Sequence, residues 1–220
     1  MSNSARQRTI AYIDGFNLYF GLRESGYRRY YWLNVKRLIE NLLLADQELV
    51  MTKYFTARIS ASASPGCMAL AENLRAKRER QSDFLEALAT LPDFAIFYGH
   101  YLHKPTTCRK CGHCWADHEE KMTDVNIATE LLRDAFEDRF DTAILLSADS
   151  DLVPPIRVIR ELFPGKRVVV VFPPARFSHH LRMVAHAHVP LGRAVLAKSQ
   201  FPDQLTKTDG HVLRRPLWWR

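Results

Sequence analysis

The sequence predicts a three-layer α/β domain with a mainly parallel central sheet. Three observations carry that expectation. Strand-like and helix-like stretches alternate along most of the chain, the pattern that strand–helix–strand units produce. The run T-A-I-L-L at 142–146 is apolar, bounded by polar residues and too short for a helix, so it suits a strand buried on both faces. After it come helical spacing at Leu152, Ile156, Ile159 and Leu162, with Pro154 and Pro155 in the first turn, a stop at Gly165, and a second apolar run at 168–172.

Residues 1–8 read as a flexible basic tail, and 10–13 as a short strand ending in Asp14, with Gly15 allowing a tight turn and Asn17 able to cap the next element. A helix is expected over 34–44, capped by Asn34 and with Val35, Leu38, Ile39, Leu42 and Leu43 on one face. Residues 49–59 suit a strand, 60–66 a loop, 67–89 a long helix ended by Pro92, and 94–98 another strand. Residues 99–120 read as a long connection without structure of its own, a kind that is usually functional or disordered. Thr123 is expected to cap a helix whose buried stripe is Val125, Ala128, Leu131, Leu132 and Ala135, with Asp124 in its first turn, where the helix dipole favours a carboxylate. A helix over 176–185, an extended piece near Val189 and a basic aromatic tail over 193–220 complete the chain. The expected division is thus a tail at 1–8, one domain at 9–192 with a Cys-rich insert at about 103–120, and the tail at 193–220.

At 220 residues and 47% hydrophobic the chain can bury a real core as one domain. Its apolar runs fall far short of the ~20 residues that span a bilayer, and the start lacks an apolar signal region, so a cytoplasmic protein with no membrane partner is expected. Three of the four cysteines crowd between Cys108 and Cys114, unlike a spread disulfide framework. The net charge of +7 favours a polyanionic partner.

The chemistry concentrates on aspartates. Asp14 and Asp149 end strands, Asp151 comes directly after, and Asp124 opens a helix on what should be the same edge of the sheet. In open α/β sheets ligands collect beyond the carboxyl ends of the strands. Close carboxylates repel unless a cation or proton intervenes, and hard cations such as Mg²⁺ or Mn²⁺ take oxygen ligands. Two ions roughly 3.5–4 Å apart can activate a water and stabilise a phosphodiester's leaving oxygen. Asn17 could orient the water or a phosphate, and Ser147 could ligate or donate nearby. The plainer reading of each aspartate is a turn residue or cap.

Three segments, I-D-G-F-N at 13–17, K-M-T-D-V at 121–125 and L-S-A-D-S-D-L at 146–152, resemble in order the signature segments of the NYN domain, a family of the PIN-like superfamily of metal-dependent ribonucleases. The likeness runs from about Thr9 to Val189 and is greatest to bacterial NYN proteins of the LabA-like kind. It implies a Rossmann-like PIN fold and Mg²⁺- or Mn²⁺-dependent RNA cleavage, with Asp14, Asn17, Asp124 and Asp149 at the matching site positions and Asp151 contributing. Ala148 stands where the family often has Gly, and the cysteine insert lies outside the minimal pattern.

Within that insert Cys108, Cys111, Cys114 and His118 could wrap a structural Zn²⁺, with His103 or His113 as substitutes for His118; a reduced, solvent-facing loop is the alternative. Cys67 is expected to be a small buried residue. Arg75, Lys77, Arg78 and Arg80, with Lys53 and Arg58 before them, could track an RNA backbone, or they are a solvated helix face. Tyr30, Tyr31 and Trp32 could stack on unpaired bases or fill a core, and the ending R-R-P-L-W-W-R could stack on RNA or dock on the domain. The histidines at 179, 180, 186 and 188 give no firm metal geometry.

Together these readings predict a metal-dependent ribonuclease, an endonuclease on single-stranded RNA, with a homodimer left open. Asp14, Asp124 and Asp149 would hold the ion, Asp151 would assist, and Asn17 and Ser147 would position groups. The alternative is a non-catalytic RNA-binding or regulatory scaffold, against which four clustered carboxylates speak, because without a cation they would repel phosphate. A phosphatase working through an aspartyl phosphate is disfavoured by Phe16 at the second position after Asp14.

Overall fold

The computed structural model describes residues 6–59, 68–107, 110–111 and 114–219. The chain builds a seven-stranded sheet from β1 (Gln7–Asp14), β2 (Gln47–Ala57), β3 (Phe94–Thr107), β4 (Cys114–Lys121), β5 (Thr142–Leu146), β6 (Arg167–Phe172) and β7 (Ala187–Pro190). The order across the sheet is β4-β3-β2-β1-β5-β6-β7. Six strands run parallel, and only β4 pairs antiparallel, at the β3 edge. The predicted three-layer, mainly parallel α/β architecture is the one observed.

Side-chain alternation along the strands builds the two outer layers. In β1, Ala11 and Ile13 face a cluster with α1 (Gly15–Glu24), α2 (Val35–Glu40), α3 (Met68–Ala89) and α7 (Arg193–Lys198). Ile10 and Tyr12 face the opposite cluster, with α4 (Thr123–Phe136), α5 (Val153–Leu162) and α6 (His179–Val184). Every residue of β5 is buried, as an apolar run covered on both faces requires.

Several boundaries depart from the sequence reading. β1 starts at Gln7, inside the expected tail, and α2 covers only the first half of the expected 34–44 helix, although Asn34 does cap it. The stretch 99–120, expected to lack structure, instead lengthens β3 and forms β4 as a hairpin, with His103 opposite His118 in the register. Its polar composition conceals the strands, because neither carries an apolar alternation. In α4, Thr123 is the first helical residue; the cap position is Met122, at φ 79°, and makes no side-chain cap bond. The buried face there is Ile127, Leu131 and Ala135 with Glu130 and Asp134, while Val125 is exposed. Gly15 does not turn; it opens α1, where a Cβ would lie 2.6 Å from the Tyr54 hydroxyl oxygen.

The C-terminal segment docks on the domain. A two-stranded ribbon of β8 (Gln204–Thr206) and β9 (Val212–Arg214) comes after α7, and Leu196, Phe201, Leu213 and Trp219 join the α1-side core. Trp32 donates from its indole to the Pro202 carbonyl at 2.8 Å, and Phe201 N–H donates to the Trp32 carbonyl at 3.0 Å. Tyr30 and Trp32 therefore fill the core and do not present faces to a ligand.

Candidate functional site

Strand order reverses between β1 and β5: the chain leaves β1 toward β2, β3 and β4, then returns to β5 on the other side. A crevice at the carboxyl ends of such neighbours is where open α/β sheets bind ligands. Asp14 ends β1 there, and Ser147 to Asp149 lie just past the end of β5.

Asp14 is almost wholly buried and caps α1. One carboxylate oxygen accepts from Asn17 N–H at 2.9 Å; the other accepts from the Asn17 side-chain amide at 2.6 Å and from the Ser147 hydroxyl at 2.8 Å. The cap is thus Asp14, and Asn17, expected in that role, is its donor. Burial pushes the Asp14 carboxyl above its ordinary value despite these bonds, and Asp149 adds to the rise. Ser147 is buried too, and its hydroxyl oxygen accepts from Asp149 N–H at 3.0 Å. Asp149 caps the short turn at Ser150–Leu152 by accepting from Asp151 N–H at 2.9 Å.

Asp124, in the first turn of α4, completes the group. Burial, then the charges of Asp14, Asp149 and Asp151, push its carboxyl up to about 7. The other three predicted carboxylates thus lie within electrostatic reach of Asp124. Among the described residues, no three His, Cys, Asp or Glu side chains converge tightly enough to cage a metal as they stand. A small hard cation does not need such a cage, since Mg²⁺ usually keeps several waters and binds through one or two carboxylates plus substrate phosphates. An all-oxygen donor set in mutual repulsion fits that class of ion.

One cleft-lining residue escapes the sequence reading. The spacing places Arg176 at the start of a helix, but α6 begins at His179, and Arg176 lies in the loop after β6, on the same sheet edge. With Asn17, Ala148, Asp149, Ser150, Ala175 and Phe177 it lines a cleft of about 340 Å³. Its guanidinium donates to Asn17 Oδ1 at 3.4 Å and to Glu24 Oε1 at 2.6 Å, and lies 5.5 Å from the centre of the Phe20 ring. The Nε of Arg176 is buried and makes no hydrogen bond. Gly21 lets the loop approach: a Cβ there would meet the Pro174 carbonyl oxygen at 2.6 Å. The available signal is positional, a cation just past the carboxyl end of a parallel strand.

The remaining expected sites are scattered. Lys53 is buried and cannot track RNA; its ammonium pairs with Glu130 at 2.6 Å and Asp134 at 2.5 Å. Arg75 pairs with Glu79 on α3, Lys77 and Arg78 are exposed there, and Arg80 is half-buried. Cys111 is a free, exposed cysteine. Cys67, Cys108 and His113 lie outside the described residues, as do the side chains of His103, Cys114 and His118. His186 accepts at Nδ1 from Val168 N–H, a packing role.

The NYN domain family profile matches residues 8–192. The chain belongs to the NYN family. NYN proteins form part of the PIN-like superfamily and suggest a nuclease-type function. A relative from Pseudomonas putida named 6-hydroxy-3-succinoylpyridine 3-monooxygenase HspA is 28% identical over 199 residues, a match that takes in 76% of this chain. The chain spans only 59% of that relative's length. The crystal structure of a protein of unknown function from Vibrio parahaemolyticus superposes with a TM-score of 0.52 at 20% identity, over 88% of this chain and 98% of that one. That likeness shows that the two chains share a fold. Among the described residues of this NYN chain, no helix is long and apolar enough to cross a membrane.

Proposed function

We propose that this NYN chain is a metal-dependent ribonuclease, an endonuclease that hydrolyses phosphodiester bonds of single-stranded RNA. The observation that carries the reading is the gathering of Asp14, Asp124, Asp149 and Asp151 at the switch point, close enough that, after burial, the charges of the other three help push the Asp124 carboxyl up to about 7. Asp14, Asp124 and Asp149 would hold Mg²⁺ or Mn²⁺, with Asp151 assisting. When bound, such an ion lowers the pKa of a water and steadies charge on the leaving oxygen. Ser147 fixes the Asp14 carboxylate by donating to it, and Asn17 holds both Asp14 oxygens from below. Arg176, beside Asn17 and the cleft, offers a guanidinium for a phosphate oxygen, the group it matches best. The exposed cations of α3 would add attraction for a polyanion without reading sequence. Cys108, Cys111, Cys114 and His118 are a proposed zinc site; β4, which starts at Cys114, ends at Lys121, shortly before Asp124.

The monooxygenation named for the Pseudomonas relative is not carried over, since this chain matches only part of that protein at low identity. The test is withdrawal and return of metal. Purified protein should cut a labelled single-stranded RNA with Mn²⁺ or Mg²⁺, stop in EDTA, and resume on adding either ion. Binding of the RNA with no cutting under any metal would favour the non-catalytic scaffold.

A further inference from the structure

We infer that the outer side of α1 and the adjoining C-terminal turn form a stacking track that leads single-stranded RNA to the carboxylate site. The inference rests on the ribonuclease reading and locates its substrate path. The track starts at the cleft, where the Arg176 guanidinium lies 5.5 Å from the Phe20 ring centre. Tyr19 comes next at 5.3 Å from Phe20, and Tyr31 at 5.3 Å from Tyr19. Tyr31 packs edge-on against Trp219, which is buried, so that neighbouring Trp218 is turned outward with the Arg28 guanidinium 5.2 Å from its ring. Tyr19 is 41% exposed and Trp218 67%, large rings that the fold leaves in water although its core had room for Trp32 and Trp219.

Rings linked at these spacings and interleaved with guanidinium groups suit a polynucleotide whose bases are free. Each base offers a flat face to a ring, and each phosphate offers a charge to an arginine. A duplex hides those faces in its own stack. The same helix is capped by Asp14 and carries Asn17 in its first turn, so a strand held along α1 leads toward the helix end at which the carboxylates gather.

The test measures binding in EDTA, where cutting is suppressed, by fluorescence anisotropy of a labelled single-stranded RNA of about 12 nucleotides, within the range of known single-strand sites. The same strand annealed to its complement is the comparison. Tyr19→Ala and Trp218→Ala should each weaken the single strand by about 5- to 100-fold, the range that loss of one stacked base gives. Tyr19→Phe and Trp218→Phe, which keep a ring, should restore most of the affinity. Phe136→Ala, a still more exposed ring on the opposite layer, should leave it unchanged. Wild-type affinity in both alanine variants, equal affinity for the duplex, or no binding of the single strand overturns the track. Binding along the track with no cleavage in Mn²⁺ would sink the ribonuclease reading alone, and cleavage indifferent to Tyr19 and Trp218 would sink the track alone.

Discussion

Asp124 is the residue on which the site's electrostatics can be read. Its carboxyl is raised to about 7 from an ordinary 3.8, so without metal the folded state holds a proton that the unfolded state releases. Stability is then unaffected below about 3.8, declines as pH climbs to about 7, and carries the full penalty above it. Asp124→Asn in EDTA should therefore raise the Tm at pH 8 and leave it unchanged at pH 4. Because the group is only half-buried, screening trims the effect, and a rise of about 2–4 °C, near 1 kcal/mol for a chain of this length, is expected. A lower Tm at pH 8 would mean that the carboxylate stabilises the metal-free fold. Asp14, Asp124, Asp149 and Asp151 were legible in the sequence because each adjoins an apolar run or a helix start that fixes its place on the sheet edge. Arg176 was not, because its loop contains Pro173 and Pro174, then Ala175 at φ 56°, a left-handed backbone that no spacing rule for helices anticipates.

Among the elements, α4 shows how the site's outer wall is kept in place. It buries Glu130 and Asp134 toward the sheet, where Lys53 of β2 pairs with both and the Tyr12 hydroxyl donates to Asp134 at 2.5 Å. Burial and the Asp134 charge push the Tyr12 phenol well above its usual value. Lys53→Ala would remove the buried cation shared by two buried carboxylates and leave them only the more exposed Arg133 and Arg139, and should cost about 3–5 kcal/mol, read as a lowered midpoint in urea unfolding. A loss under about 1 kcal/mol, the worth of an exposed pair, would mean that the network is already solvated. None of this was legible in advance, because Lys53 and its partners lie 77 and 81 positions apart and a lysine in a run with Arg58 reads as surface charge. The β3–β4 hairpin was hidden for a different reason: it is an edge ribbon, held by backbone bonds, and needs no apolar stripe.

For the whole molecule, alternation of strands and helices was enough to give the layers and the parallel sheet, since buried strands read as unbroken apolar runs. The role of the segment from 193 onward was not, because short elements rich in arginine and tryptophan look alike whether they bind a ligand or close a core. The two adjacent indoles now divide those roles. Trp219→Ala should cost about 3–5 kcal/mol, as removal of a large core side chain does, while Trp218→Ala should stay within about 0.5 kcal/mol; thermal unfolding of both variants checks the contrast, and equal losses would contradict it. The central claim is that the switch-point carboxylates hold the ion that drives hydrolysis. Its most direct test is single-turnover RNA cleavage in Mn²⁺ by the wild type beside Asp14→Asn, Asp124→Asn and Asp149→Asn, each first shown to be folded. The account predicts that each variant loses at least about a hundredfold in rate, as removal of several kcal/mol of metal-borne charge stabilisation implies, while still binding RNA. Cleavage by all three at the wild-type rate would contradict it.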